Sequence, residues 1–263
     1  MNMNILCIGD IVGRPGREAL RQVLPQLQKE FNLQFVIVNG ENSAGGFGIT
    51  STIADEIFQL GCHVITLGDH VWDKREIADY LSKRNDIIRP ANFPNGAPGE
   101  GWTVQKLPTG EKIGIISLLG RVFMRYNVDC PFRKLEAIVH ELRKETPIIF
   151  VDMHAEATSE KTALGNFIDG KVSAVFGTHT HIQTADERIL PKGTAYITDL
   201  GMTGPYDSVI GQNKEIIIER FLTSLPSKLE VAQDDVRLCG MVVEVDPKTG
   251  LAKSLTRIQR SLT

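Results

Sequence analysis

A layered α/β fold is what this 263-residue sequence predicts, and three observations carry that prediction. Short apolar runs rich in β-branched residues recur along the chain, continuous rather than alternating, as strands covered on both faces read. Segments with helical spacing lie between several of them. The length suits one large domain, with no linker, repeat or charge block to divide it.

The strand-like runs are Ile5 to Ile8, Phe35 to Val38, Val64 to Leu67 and Ile113 to Leu119, then Ile148 to Val151, Val172 to Phe176 and Ala195 to Thr198. Arg17 to Phe31 repeats apolar positions at Leu20, Val23, Leu24, Leu27 and Phe31, which predicts a helix. Ile53 to Leu60, Arg75 to Leu81 and Phe132 to Leu142 repeat the pattern more briefly. The tail reads as a β-hairpin at about 240–258, with Pro247 and Gly250 supplying its turn. It is expected to extend the sheet system, so residues 1–263 are expected to form a single domain.

Composition excludes several classes. Hydrophobic residues at 42% and charged residues at 23% are ordinary globular usage, which rules out disorder. A formal charge of −3 argues against stable non-specific binding of nucleic acid, which needs a basic face. No run approaches the roughly twenty apolar residues of a membrane span, and 1–12 lacks the basic leader and cleavage site of a signal peptide. Cys7, Cys62, Cys130 and Cys239 are scattered and read as buried thiols, so a cytoplasmic protein is expected. A homo-oligomer stays open, since no sequence stripe marks an interface.

The polar residues that follow the apolar runs are the functional signal. Ile8 leads to Gly9-Asp10, Val38 to Asn39-Gly40-Glu41-Asn42, and Leu67 to Gly68-Asp69-His70. Val151 leads to Asp152-Met153-His154, and Phe176 to Gly177-Thr178-His179-Thr180-His181. In α/β sheets the C-terminal strand ends form the ligand crevice, so these five ends are expected to converge. His179 and His181, alternate residues of a segment read as extended, are expected to point the same way. Asp10, Glu41, Asp69, His154, His179 and His181, with Asn42 in reserve, are more donors than one tetrahedral zinc uses. They suit two metal ions sharing a carboxylate, a centre that activates water and neutralises phosphoryl charge.

The weaker signals fit plain structural roles. The glycines of 9–16 lack dinucleotide spacing, and no Walker lysine follows them. Gly45-Gly46-Phe47-Gly48 reads as a flexible loop, with Thr50 or Ser51 capping the next helix. Arg14 and Arg17 read as solvated helix-start residues rather than phosphate contacts. His63 and His140 have no motif around them.

Taken in order, Gly9-Asp10, Gly40-Glu41-Asn42, Gly68-Asp69-His70, His154 and 177–181 resemble the motif set of the calcineurin-like metallophosphoesterases. The stretches 9–16, 38–50 and 198–211 resemble the YmdB-like branch more closely. The resemblance implies a four-layered αββα sandwich and a metal-dependent phosphodiesterase of small phosphodiesters, cyclic nucleotides such as 2′,3′-cyclic AMP included, with an influence on RNA turnover. It implies one ion on Asp10, Glu41, His181 and Asn42, a second on Glu41, Asp69, His154 and His179, and His70 as the catalytic histidine. Asp73 is expected to orient His70. Iron, manganese or zinc, divalent or mixed-valence, all suit the donors. Two departures stand out: Val12 replaces the first motif's usual histidine, and Asp69 stands where the superfamily usually has Asn. A phosphomonoesterase, a nuclease or a weakly catalytic nucleotide-binding regulator are the alternatives.

Overall fold

The computed structural model describes residues 2–262; Met1 and Thr263, the ends of the expected 1–263 domain, lie outside the described residues. In chain order the elements are β1 (Met3–Ile8), α1 (Gly13–Glu30), β2 (Phe35–Asn39), α2 (Ser51–Gln59), β3 (Val64–Thr66), α3 (Ile77–Leu81) and β4 (Ile87–Ile88). Then come β5 (Trp102–Lys106), β6 (Lys112–Leu119), α4 (Pro131–Leu142), β7 (Ile149–His154), α5 (Thr158–Ile168), β8 (Ala174–Thr178), β9 (Arg188–Ile189) and β10 (Ala195–Ile197). The chain closes with β11 (Gly204–Pro205), α6 (Lys214–Thr223), β12 (Val236–Val245) and β13 (Ala252–Ser261).

Two sheets result. One runs β11-β12-β1-β2-β3-β4, with β13 on β12; the other runs β5-β6-β7-β8-β10-β9. Strands β1 to β4 pair in parallel, as do β6, β7, β8 and β10, which puts their C-terminal ends on one side of each sheet. The expected tail hairpin is longer than the sequence suggested. Its first strand starts at Val236 and pairs antiparallel with β1 from Gly240 to Val245.

Side-chain alternation explains the continuous apolar runs. In β1, Met3, Ile5 and Cys7 face a core between the sheets together with Phe35, Ile37, Phe150 and Phe176. Leu6 and Ile8 face the opposite way, onto Leu20, Leu24 and Leu27 of α1, Ile57 of α2 and Ile77 of α3. The second sheet repeats this outward, with Ile116, Val151 and Val175 against Leu135 and Leu142 of α4 and Leu164 of α5. Three apolar layers thus separate helix, sheet, sheet and helix, the αββα order. Burying each such side chain stabilises the fold by about 1.5–3 kcal/mol, and trimming Leu24 to Ala would cost about 2–5 kcal/mol.

The helices follow their apolar spacing, with starts set by local chemistry. α2 begins where the Thr50 side chain accepts from the Ile53 amide at 3.3 Å, an N-cap. α1 continues through Pro25, which removes one ladder bond; the buried stripe of Leu20, Leu24 and Leu27 offsets that loss. All four cysteines are free; Cys7, Cys62 and Cys239 are buried, whereas Cys130 is partly exposed, contrary to expectation. No helix among the described residues is long and apolar enough to cross a membrane.

Candidate metal centre

The five strand ends meet at one place. Asp10 follows β1, Glu41 and Asn42 follow β2, Asp69 follows β3, His154 ends β7, and His179 and His181 follow β8. Ligand atoms of Glu41, Asp69, His154 and His179 all lie within 4.8 Å of one another. His154 Nε2 is 2.9 Å from Glu41 Oε1 and 3.1 Å from Asp69 Oδ1, and His179 Nδ1 is 3.3 Å from Asp69 Oδ1. Only glycine at 68 permits this approach, because a Cβ there would overlap the His154 ring and Glu41 Oε2.

Asp10, Asn42 and His181 form the second half. His181 Nε2 is 4.0 Å from Asp10 Oδ1, while its Nδ1 bonds the Ile210 carbonyl at 2.9 Å. Asn42 spends its amide N–H on the Gly46 carbonyl at 3.1 Å. Asp10 Oδ1 and Asn42 Oδ1 are left buried with no hydrogen-bond partner. Two orphaned oxygens in a carboxylate-rich interior are costly unless a cation takes them, so the donor set fits metal.

The route to the histidine pair differs from the sequence expectation. His179 and His181 are not on an extended segment: their φ angles are 98° and 66°, in the left-handed region. Such backbone strain in non-glycine residues persists where surrounding structure imposes it. Here Asp199 imposes it, accepting from the Thr180 amide at 3.2 Å and the Thr180 hydroxyl at 2.7 Å. Asp199 is itself held by buried Lys161 at 2.7 Å.

The electrostatics describe a site built around positive charge. Burial pushes Asp10 up, and Asp199 and Glu41 add to this against the opposing pull of His154, raising it to about 7. Burial also raises Glu41 and Asp69, yet charge and hydrogen bonds from His154, joined at Asp69 by His179, hold both below the usual carboxylate range. Burial alone would lower His154, but Glu41 and Asp69 overcome it and hold its pKa well above the ordinary imidazole value. Burial depresses His181, leaving it neutral and able to ligate.

His70 lies beside this centre, its amide donating to Glu41 Oε2 at 3.1 Å. Its Nδ1 is 2.7 Å from Asp73 Oδ2, so the expected pairing is present. Arg125 was missed by sequence reasoning. Its Nη2 donates to the Asp69 carbonyl at 2.6 Å and Asp73 Oδ1 at 2.9 Å. Asn39, Asp152 and Thr178 were missed too. Asp152 accepts from Thr66, Thr178 and Asn39 at 2.5, 2.6 and 3.1 Å, stitching the two sheets together beneath His154. Arg17 is engaged by Glu56 at 3.0 Å and Arg14 is exposed. His63 accepts from the Val36 amide at 3.1 Å and stacks on Phe35, while His140 is 75% exposed at its side chain.

Comparison with known proteins places this arrangement. The chain is 50% identical over 256 residues to the 2′,3′-cyclic-nucleotide 2′-phosphodiesterase of Bacillus subtilis, covering 97% of this chain and 96% of that one. A crystal structure described as a novel phosphatase from Mycoplasma pneumoniae superposes with a TM-score of 0.93 at 35% identity, covering 99% of this chain and 94% of that one. A hypothetical protein from Thermus thermophilus gives 0.91 at 37% identity, over 98% and 99% of the two chains. The model of the family described as YmdB-like protein matches residues 6–258, so the chain belongs to the YmdB-like family.

Proposed function

We propose that this chain is a dinuclear-metal phosphodiesterase acting on small phosphodiesters, 2′,3′-cyclic nucleotides first among them. The observation that carries the reading is the meeting of Glu41, Asp69, His154 and His179 beside the orphaned oxygens of Asp10 and Asn42. One ion would be held by Asp10, Asn42, Glu41 and His181, and another by Glu41, Asp69, His154 and His179, with Glu41 shared. Iron or manganese suits these donors, and zinc is compatible with them. When bound, the ions supply activation of water and neutralisation of charge on the phosphoryl group. The similarity to the Bacillus subtilis enzyme supports the substrate class.

The protein's own residues do the rest. His154 and His181 each spend Nδ1 on a protein oxygen, which aims Nε2 at the centre. His70, its Nδ1 held by Asp73, would protonate the departing ribose oxygen as general acid. Because the donors come from both sheets, the chain acts as one domain in this reading, and its free thiols support a cytoplasmic location.

The test is hydrolysis of 2′,3′-cyclic AMP by metal-stripped protein before and after adding back manganese, or ferrous iron under reducing conditions. Turnover that depends on metal and vanishes in Glu41→Ala is the expected result. Turnover independent of metal would overturn the reading.

A further inference from the structure

The glycine loop 45–48 and helix α6 flank the mouth of the centre, and the chemistry above uses neither. The loop turns on three glycines with left-handed backbone. Gly45, Gly46 and Gly48 hold φ at 70°, 95° and 75°, a region side chains rarely adopt. A Cβ on Gly46 would come within 2.8 Å of Gln212 Nε2, and one on Gly48 within 2.9 Å of the Lys74 side chain. What this packed turn presents is Phe47, whose ring meets that of His70 edge-on at 5.0 Å.

Helix α6 lines the same opening. It buries none of its residues, although Ile216, Ile217, Ile218, Phe221 and Leu222 make half of it apolar; Phe221 is 83% exposed. Loop and helix wall one cleft of about 720 Å³, with Glu41 and His181 among its metal-site residues and Phe47, Ile210, Ile217 and Phe221 on its walls. Gln212 also lines the cleft, and its side-chain Oε1 is buried without a hydrogen-bond partner. With a phosphate at the metal-site residues, the cleft leaves apolar walls for a flat group and an unpaired acceptor on Gln212.

We propose that Phe47, Ile217 and Phe221 form the nucleobase subsite of the enzyme, with Gln212 accepting a hydrogen bond from the nucleoside. The inference rests on the phosphodiesterase reading, which places the phosphate at the metal-site end. Aromatic walls recognise any base through its π-face, so both purines and pyrimidines are accepted, and purines bind better through their larger face.

The experiment compares kcat/KM for 2′,3′-cyclic AMP with that for the base-free methyl riboside 2,3-cyclic phosphate, using metal-loaded wild-type and Phe221→Ala proteins. Phe221 is exposed, so its truncation leaves the core intact. The ratio of the two kcat/KM values is expected to fall about tenfold in the variant, chiefly through KM. Adenosine, which carries no phosphate, is expected to bind more weakly to the variant by calorimetry. Equal kcat/KM for both esters in the wild type would overturn the subsite and leave the phosphodiesterase reading standing. Wild-type protein that hydrolyses neither ester would overturn both. A light-scattering mass that halves in Phe221→Ala while the ratio stays unchanged would also overturn the subsite, assigning the face to contact between two copies of the chain.

Discussion

Nδ1 of His154 lies 2.8 Å from the hydroxyl of Thr178, and that hydroxyl gives its own proton to Asp152 at 2.6 Å. A hydroxyl has one proton to donate, so it accepts from His154, and the imidazole keeps its Nδ1 proton. In the neutral ring, Nε2 is thereby left as a lone pair facing Glu41 and Asp69, free for a cation. Replacing Thr178 with Val removes the acceptor and frees the tautomer. Metal affinity is expected to fall about 10–100-fold, read as metal retained after dialysis, whereas Thr178→Ser should retain it. Full retention in the Val variant would show that the hydroxyl does not set the ring.

Asp69 adds a carboxylate to a centre that already holds Asp10 and Glu41. Arg125 Nε, 3.7 Å from Asp69 Oδ2, offsets only part of that charge, because the guanidinium is 44% exposed and screened. Asp69→Asn should therefore loosen metal and strengthen binding of an anionic substrate, each by roughly three- to tenfold. Metal titration and KM measured at saturating metal separate the two effects. If neither moves, Asp69 and Asn are equivalent here.

The donors were legible in the sequence because each ends or closely follows a buried strand. Asp10 follows Ile8 by two residues and Asp69 follows Leu67 by two, so their place at a sheet end was local information. The supports were not. Asn39 reaches Asp152 and Lys161 reaches Asp199 across 113 and 38 residues, and only the folded sheets create those partnerships. α5 escaped notice for a related reason. Its Gly165 and its polar first turn weaken the helical pattern, yet a Cβ at 165 would press into the Tyr196 ring, so packing decides that residue. The two-residue strands β4, β9 and β11 exist through pairing alone.

His70 is held beside the centre by Glu41 and Asp73, and in the proposed general-acid role its removal should act on turnover more than on binding. His70→Ala is expected to lower kcat about 10²–10⁴-fold with a cyclic nucleotide. The loss should shrink with an aryl ester such as bis-p-nitrophenyl phosphate, whose leaving group needs no proton. Equal losses on both substrates would remove the general-acid role and leave charge stabilisation. Asp73→Asn should give a smaller loss in the same direction.

Lys161 and Asp199 form an ion pair with each side chain 1% exposed. Asp199 also takes the Gly201 amide at 2.8 Å in addition to Thr180. Replacing Lys161 with Met leaves a buried charge without its partner, which costs about 3–5 kcal/mol. Urea unfolding should show that loss as a lower midpoint at unchanged slope. Because Asp199 anchors the turn carrying His179 and His181, metal retention should fall alongside stability. A variant with the wild-type midpoint would mean that the pair is already compensated by its hydrogen bonds.

Metal uptake should release protons, and the sign follows from the groups that hold them. Asp10, raised to about 7 by burial, is mostly protonated at pH 6 in the metal-free protein, and His154 is held protonated by Glu41 and Asp69. Both must give up a proton to ligate, whereas Glu41, Asp69 and neutral His181 are ready as they stand. Metal affinity is therefore expected to weaken as pH falls from about 8 towards 6, and binding heats at pH 6 should depend on the ionisation enthalpy of the buffer. For the metal-free fold the Asp10 contribution runs the other way. A carboxyl raised from 3.8 to about 7 keeps its proton in the folded state while the unfolded chain loses it. Its share of stability is full below pH 4 and is lost as pH rises through 7. Asp10→Asn should flatten that part of the profile in denaturant titrations of metal-free protein, and a slope unchanged by the substitution would show that another group holds the proton.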